Sequence, residues 1–137
     1  MPIFSSTEEA EALMHKFFDQ VTSDPDLRPK FVGAGTAFRT LYSDPAAALV
    51  IDGRTDPPTV LTGQAANDAT VDVELTMSAD DGHKFWLGNL NIPMAIARRK
   101  VKINGPTGKM LKLLPALQPA FGMYREFLIA EGHSDKL

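Results

Sequence analysis

The chain has no cysteine among its 137 residues and only three histidines, His15, His83 and His133. The lack of cysteine excludes disulfide bonds, a thiolate nucleophile and a cysteine-ligated zinc site. The histidines lie far apart and show no ligand spacing such as that of HExxH, so we expect neither a metal site nor a cofactor. No serine stands in a Gly-x-Ser-x-Gly setting, and we expect no enzyme activity.

Long apolar runs are also missing. No window approaches the roughly 18 consecutive apolar residues that a membrane-spanning helix needs. The segment Met1 to Glu11 contains three glutamates and lacks the basic start and the apolar stretch of a secretory signal. We therefore expect a cytoplasmic protein. Its length, with 44% hydrophobic and 23% charged residues, predicts one globular domain over residues 1–137.

Acidic residues are absent between Gly82 and Arg125, where eight lysines and arginines stand. This stretch has a charge of +8, although the chain has a net charge of −3. Such a one-sided field suits an anionic partner, such as a phosphate group or lipid headgroups; the alternative is a solvated face balanced by nearby acids. We expect no nucleic-acid partner, because Phe85 and Trp86 are the only aromatic residues between Gly82 and Met110.

Apolar stripes with helical spacing predict helices at both ends of the chain. Ser6 and Glu9 form a capping-box pattern, after which apolar residues recur at i, i+3, i+4, i+7 and i+8 until Asp24. Near the other end, Pro115 and Pro119 predict a break between two helices. Helices are predicted over 7–23, 26–32, 78–87 and 92–98, from about 107 to the break, and over about 120–131.

Alternation of apolar and polar residues predicts the strands. It is clearest from Ala69 to Met77, where every second residue is apolar. Further strands are predicted over 36–42, 47–52, 59–62 and 100–103. The segment Gly105 to Lys109 lies between a strand and a helix, but it is too short for a phosphate-binding loop. Its amides and Lys109 could bind a lone anion at the helix start, and a plain turn is the alternative.

The second half of the chain is rich in methionine, leucine and aromatic residues. Methionine is adaptable, so a sheet face and Met-bearing helices could enclose a cavity that accepts ligands of varied shape. The alternative is an ordinary, filled core.

Several short pieces between Ala69 and Leu117 stand in a particular order and spacing. They are the alternating strand 69–78, Gly88-Asn89-Leu90-Asn91, Ala95, Lys100-Val101-Lys102-Ile103-Asn104-Gly105, and Gly108 with Lys112-Leu113. In this order they resemble the sterol carrier protein 2 (SCP2) family, and the long tail resembles that of its stand-alone bacterial members. Two positions depart from the family pattern. The proline usual after Asn91 is shifted to Pro93, and Arg99 replaces the glycine usual before Lys100.

The resemblance implies an α+β, SCP2-like fold: a five-stranded mixed sheet covered by helices on one side and enclosing a hydrophobic tunnel. It implies non-catalytic binding and intracellular transfer of fatty acids, fatty acyl-CoA, phospholipids or sterols. Basic residues near the tunnel mouth would contact an anionic headgroup or membrane surface, and these are Arg98, Arg99, Lys100 and Lys109. The expected ligand-binding residues are Leu75, Met77, Phe85, Trp86, Leu90, Ile92, Met94, Ile96, Met110, Leu113, Leu114, Leu117 and Phe121.

A second hypothesis uses the same fold without lipid carriage. With its cavity filled by side chains, the protein would serve as an accessory module for interaction or homodimerisation, because a fold does not dictate its function. The internal volume separates the two hypotheses: a void below about 300 Å³ favours the module.

Overall fold

Helices and strands follow one another along residues 3–137, the part of the chain that the computed structural model describes. No helix in this part is long and apolar enough to span a membrane. The elements are α1 (Thr7–Ser23), α2 (Arg28–Ala34), β1 (Ala37–Ser43), β2 (Ala47–Asp52), β3 (Thr59–Thr62), α3 (Gly63–Asp68), β4 (Val73–Ser78), α4 (Ala79–Trp86), α5 (Ile92–Ala97), β5 (Lys102–Asn104), α6 (Thr107–Leu113), a 3-10 turn (Leu114–Leu117), α7 (Gln118–Ala130) and a final 3-10 turn (Ser134–Lys136).

The five strands form one mixed sheet in the order β3-β2-β1-β4-β5. The central strand β1 pairs with β2 in antiparallel fashion and with β4 in parallel fashion, while β3 and β5 join the two edges in antiparallel fashion. In this register Thr40 of β1 lies opposite both Leu49 and Leu75. The predicted α+β fold with a five-stranded mixed sheet is confirmed.

The two faces of the sheet bury different clusters. Strand residues such as Leu49 and Leu75 pack into the main core with side chains from α1 and from α4 to α7. Because successive strand residues point to opposite faces, Ala48 and Val50 face the other way, and there they pack with Ala66 of α3. Helices therefore lie on both sides of the sheet, whereas the family resemblance implied helices on one side only. The extra helix, α3, covers part of the second face.

Side-chain caps set the start of two helices. Ser6 Oγ accepts a hydrogen bond from the Glu9 amide at 3.1 Å, and Ser78 Oγ accepts one from the Asp81 amide at 3.0 Å. These bonds satisfy amides that have no partner within the helix. Both helices begin where the sequence predicts.

The strand β4 starts later than the alternation predicts. Before Val73, the Asp72 carboxylate accepts a hydrogen bond from the Ala37 amide at 3.0 Å, and the Arg39 guanidinium donates to the Ala69 carbonyl at 2.7 Å. Side-chain hydrogen bonds here stand beside a backbone bond from the Asp72 amide to the Ala37 carbonyl, at 3.0 Å.

Candidate functional site

An apolar cavity lies between the main face of the sheet and the helices α4 to α6, and its volume is about 50 Å³. Strands β1, β2 and β4 form its floor, and α4, α6 and the turn after α6 close it from above. The lining residues are Phe31, Phe38, Thr40, Tyr42, Leu49, Ile51, Leu75, Met77, Gly82, Phe85, Trp86, Ile92, Met110, Leu113 and Leu117.

The polar groups of this lining come from Thr40, Tyr42 and Trp86. Burial raises the pKa of the Tyr42 hydroxyl to about 12, and contacts with Trp86 and Thr40 partly offset that rise. The hydroxyl is therefore neutral at physiological pH. Gly82 allows this arrangement, because a Cβ at that position would overlap the Tyr42 ring. The cavity can thus offer a few neutral hydrogen-bonding groups within an apolar surface.

Aromatic rings account for the small volume. The Trp86 ring lies 4.8 Å from the Phe18 ring and 4.8 Å from the Phe85 ring, centroid to centroid. The Phe121 ring lies 5.5 Å from the Phe85 ring. These edge-on contacts are favourable for aromatic pairs, and they fill space above the sheet.

Eight of the thirteen residues predicted to bind a ligand line the interior cavity. They are Leu75, Met77, Phe85, Trp86, Ile92, Met110, Leu113 and Leu117. Three others, Leu90, Leu114 and Phe121, line an adjacent apolar groove of about 280 Å³. Phe85 and Ile92 border both spaces, so the groove adjoins the cavity.

Two predicted residues lie elsewhere. The Met94 side chain is 53% exposed, because Met94 lies on the outer side of α5. Ile96 is half-buried against the core. Helical spacing alone does not separate these positions from those that face the cavity.

Sequence reasoning missed the contribution of the first two strands. Phe38, Thr40 and Tyr42 alternate along β1, and Leu49 and Ile51 do so along β2. This period-2 signal is present in the sequence, and it places these residues on one face of their strands. Gly82 and Phe31 carried no such signal.

The expected open tunnel is absent from this conformation. One water molecule needs roughly 10–15 Å³ of cavity volume. The interior cavity therefore holds only a few small groups. Its 50 Å³ falls below the roughly 300 Å³ that divides the two hypotheses, and so favours the accessory module. A lipid chain would fit only after part of the wall moves.

One part of the wall is a short helix followed by a 3-10 turn. We call α6 with its following 3-10 turn, residues 107–117, the lid. Its first residue has no side-chain cap, and Pro115 interrupts its hydrogen bonding. The lid is held by apolar side chains that point inward, namely Met110, Leu113, Leu114 and Leu117.

The predicted anion-binding residues do not lie together. Lys109 borders a groove between α2 and α6 that also contains Lys30 and Lys112. Arg98 and Lys100 border a different groove of about 310 Å³, which includes the acidic Asp81. Arg99 is exposed and follows α5 in a left-handed backbone conformation, with φ of 61°.

A buried polar network lies beside the core. His83 is 4% exposed, and its Nε2 donates to the Lys136 carbonyl at 2.6 Å. Its Nδ1 must then accept the hydrogen bond from the Tyr124 hydroxyl, at 2.8 Å. Burial lowers the pKa of His83, in agreement with a neutral ring. This network attaches the C-terminal segment to α4.

Groups suited to metal binding do not converge within residues 3–137. No cluster of three or more histidine, aspartate or glutamate side chains has the arrangement of a metal site there. The lining of the interior cavity, as described, contains no carboxylate.

Several solved structures have a similar fold. The sterol carrier protein domain 2 of Helicoverpa armigera has a TM-score of 0.66 and 21% identity over 87% of this chain and 96% of its own. The apo sterol carrier protein 2 of Yarrowia lipolytica has a TM-score of 0.63 and 15% identity, over 83% and 91% respectively. The UbiJ-SCP2 ubiquinone synthesis protein has a TM-score of 0.56 and 15% identity, over 83% and 89%.

Comparison by sequence points the same way. A search of the curated proteins finds no match. The family model of the SCP-2 sterol transfer family, however, matches residues 15–118, which include the strands, the lid and most of the cavity lining. With this match over most of its length, and with the sheet order and helices described above, the chain belongs to the SCP-2 sterol transfer family.

Proposed function

We propose that the protein binds and transfers a hydrophobic ligand, such as a fatty acid, a fatty acyl-CoA, a phospholipid or a sterol, without a catalytic step. Its family supports lipid or sterol binding and transfer as the general function. The observation that carries the proposal is the apolar cavity on the main face of the sheet, which borders an apolar groove at Phe85 and Ile92.

Binding of a long chain requires the lid to move. Its attachment is apolar, so a ligand that occupies the same space replaces the contacts that the lid loses. Each buried methylene contributes about 0.8 kcal/mol, and a long acyl chain gains roughly 10 kcal/mol before the costs of ordering and association. The surplus permits affinity on the order of micromolar, which suits both capture and release.

The direct test is to extract the purified protein and to identify any bound lipid by mass spectrometry. A fluorescent fatty acid is then titrated into the delipidated protein, and we expect saturable binding. Absence of both co-purified lipid and saturable binding would contradict the proposal.

A substitution in the floor of the cavity tests the location. Thr40→Phe places a ring in the cavity, and we expect it to weaken binding of the fluorescent fatty acid about tenfold. Thr76→Phe is the matched control, because Thr76 is exposed on the opposite face of the neighbouring strand. Melting curves of both variants check the fold. Equal binding by Thr40→Phe and the wild type would place the ligand elsewhere.

The second candidate function is that of an accessory module for interaction or homodimerisation. The cavity volume of about 50 Å³ favours it, as does the likeness in fold to the UbiJ-SCP2 ubiquinone synthesis protein. A protein that binds no lipid but sediments as a dimer would support this function. Contact with an anionic membrane surface and a cytoplasmic location stay predictions.

A further inference from the structure

Three lysines from two helices border one groove. Lys30 comes from α2, while Lys109 and Lys112 come from α6, and the groove between them has a volume of about 420 Å³. The rest of its lining is Gly33, Ala34, Leu113 and Ala116, so no acidic side chain of the described chain lines it. None of the three ammonium groups forms an ion pair within residues 3–137. We call this space the lysine groove.

The lysine groove adjoins the interior cavity. Leu113 borders both spaces. Lys30 precedes Phe31, and Lys109 precedes Met110; both of these apolar residues line the cavity. On the helix α6, residues 109, 112 and 113 share a flank, and residues 110 and 113 face inward. The lysine groove and the apolar interior therefore meet at Leu113 of the lid.

We propose that the lysine groove binds the carboxylate or phosphate head of a single-chain amphiphile whose tail occupies the interior cavity. The inference rests on the proposed function, because the tail needs that cavity. An ammonium group attracts either anion, and three of them without a neighbouring acid favour a charged head over a neutral one.

The other basic groove fits this role less well. It contains Lys84, Arg98 and Lys100, but Asp81 lies among them and reduces the positive field. No residue borders both that groove and the interior cavity. A head bound there could send its tail to the cavity only by way of the apolar groove, with which this basic groove shares Leu90 and Asn91.

There is room for a head in the lysine groove. A Cβ built on Gly33 meets nothing within 4 Å, and Gly33 has no left-handed backbone angle. Gly33→Leu therefore adds bulk to the groove while all three lysines remain. This variant separates occupancy of the groove from its charge.

The experiment compares dodecanoate with 1-dodecanol, which have the same tail but different heads, by displacement of a fluorescent fatty acid. We expect Lys30→Gln/Lys109→Gln/Lys112→Gln to weaken dodecanoate binding about tenfold and to leave 1-dodecanol binding unchanged. Lys84→Gln/Arg98→Gln/Lys100→Gln, the matched control in the other groove, should bind both as the wild type does. Gly33→Leu should weaken dodecanoate selectively, and added salt should do the same.

The outcomes separate the two proposals. If the wild type binds neither compound, the proposed function and this inference both fail. If it binds 1-dodecanol and dodecanoate alike, or if the triple lysine variant weakens binding of both equally, only the headgroup site is overturned.

Inorganic phosphate tests whether the groove binds a free anion rather than the head of an amphiphile. Displacement of dodecanoate but not of 1-dodecanol by phosphate supports a head site, whereas phosphate that binds the groove without affecting either compound shows a free-anion site and overturns the proposal.

Discussion

Arg99 occupies a backbone conformation that favours glycine, with φ of 61°. Its amide donates to the Ile96 carbonyl at 3.0 Å, and the Lys100 amide donates to the Ala95 carbonyl at 2.8 Å. This pair of bonds is the Schellman motif that ends α5, and glycine is the usual residue at its left-handed position. At the departure from the family pattern, Arg99 therefore adopts the left-handed backbone that glycine favours.

Replacing this arginine should stabilise the protein. We expect Arg99→Gly to raise the free energy of unfolding by about 1 kcal/mol, because the Cβ of any other residue is strained by about this amount in the left-handed conformation. Urea denaturation measures the change. Arg98→Gly is the control and should lower the free energy of unfolding, since Arg98 has φ of −88° and gains nothing from glycine. A lower stability of Arg99→Gly would show that its side chain contributes more than the strain costs.

The short elements were the hardest to predict. The helix α3 has six residues and buries only Ala66, so it lacks the recurring apolar residues that identify a helix. The strand β5 begins at Lys102, because residues 98–100 form the turn that follows α5, and their amides donate to carbonyls of that helix. By contrast, the prediction of α1 is confirmed, since this helix of 17 residues has both an apolar stripe and a side-chain cap at Ser6.

The lid should be the most readily opened helical element on the main face. Its four inward apolar side chains are its principal attachment, so local opening costs less than unfolding of the core. In hydrogen exchange, we expect its amides to exchange at least about tenfold faster than those in the centre of α1. Dodecanoate should slow exchange in the lid and leave α1 unchanged. Exchange of the lid as slow as that of α1 would contradict a ligand path through this element.

For the whole molecule, the buried His83 links stability to pH. Burial lowers its pKa in the folded state, the Lys136 carbonyl and Asp80 partly oppose that effect, and the Lys136 ammonium adds to it. The unfolded chain then binds a proton at a higher pH than the folded one. The stability from this group is complete above a pH of 6.5, the ordinary value for histidine, and falls as the pH drops toward the lower folded pKa.

Denaturation at several pH values checks this linkage. Below pH 6.5 we expect the free energy of unfolding to decrease, by at most about 1.4 kcal/mol per pH unit from His83. His83→Gln should reduce the slope, whereas His15→Gln, at a partly exposed position on α1, should retain it. An unchanged slope in His83→Gln would assign the pH dependence to other groups. The His83→Gln variant also loses a hydrogen bond to Tyr124 or Lys136. Its free energy of unfolding at high pH is therefore compared with that of the wild type separately from the slope.

The charge distribution shows how far chain order can mislead. The basic stretch from Gly82 to Arg125 is continuous in sequence, yet the fold places five of its eight basic residues in two separate grooves, and Lys30 joins one of them from α2. Sequence proximity grouped Lys109 with Arg98 and Lys100. The structure instead groups it with Lys30 and Lys112, because α2 and α6 pack side by side.

Local patterns were enough to predict the main strands and the principal helices, because alternation, helical stripes and caps depend on neighbours along the chain. The family was indicated by a resemblance, which rests on the order and spacing of short pieces between Ala69 and Leu117. The cavity volume and the partition between lining and core needed the packed fold. Met110 and Met94 are both apolar residues on short helices, but one faces the cavity and the other is exposed. That difference depends on where α5 and α6 lie against the sheet, and such distances between remote segments arise from packing rather than from any local pattern.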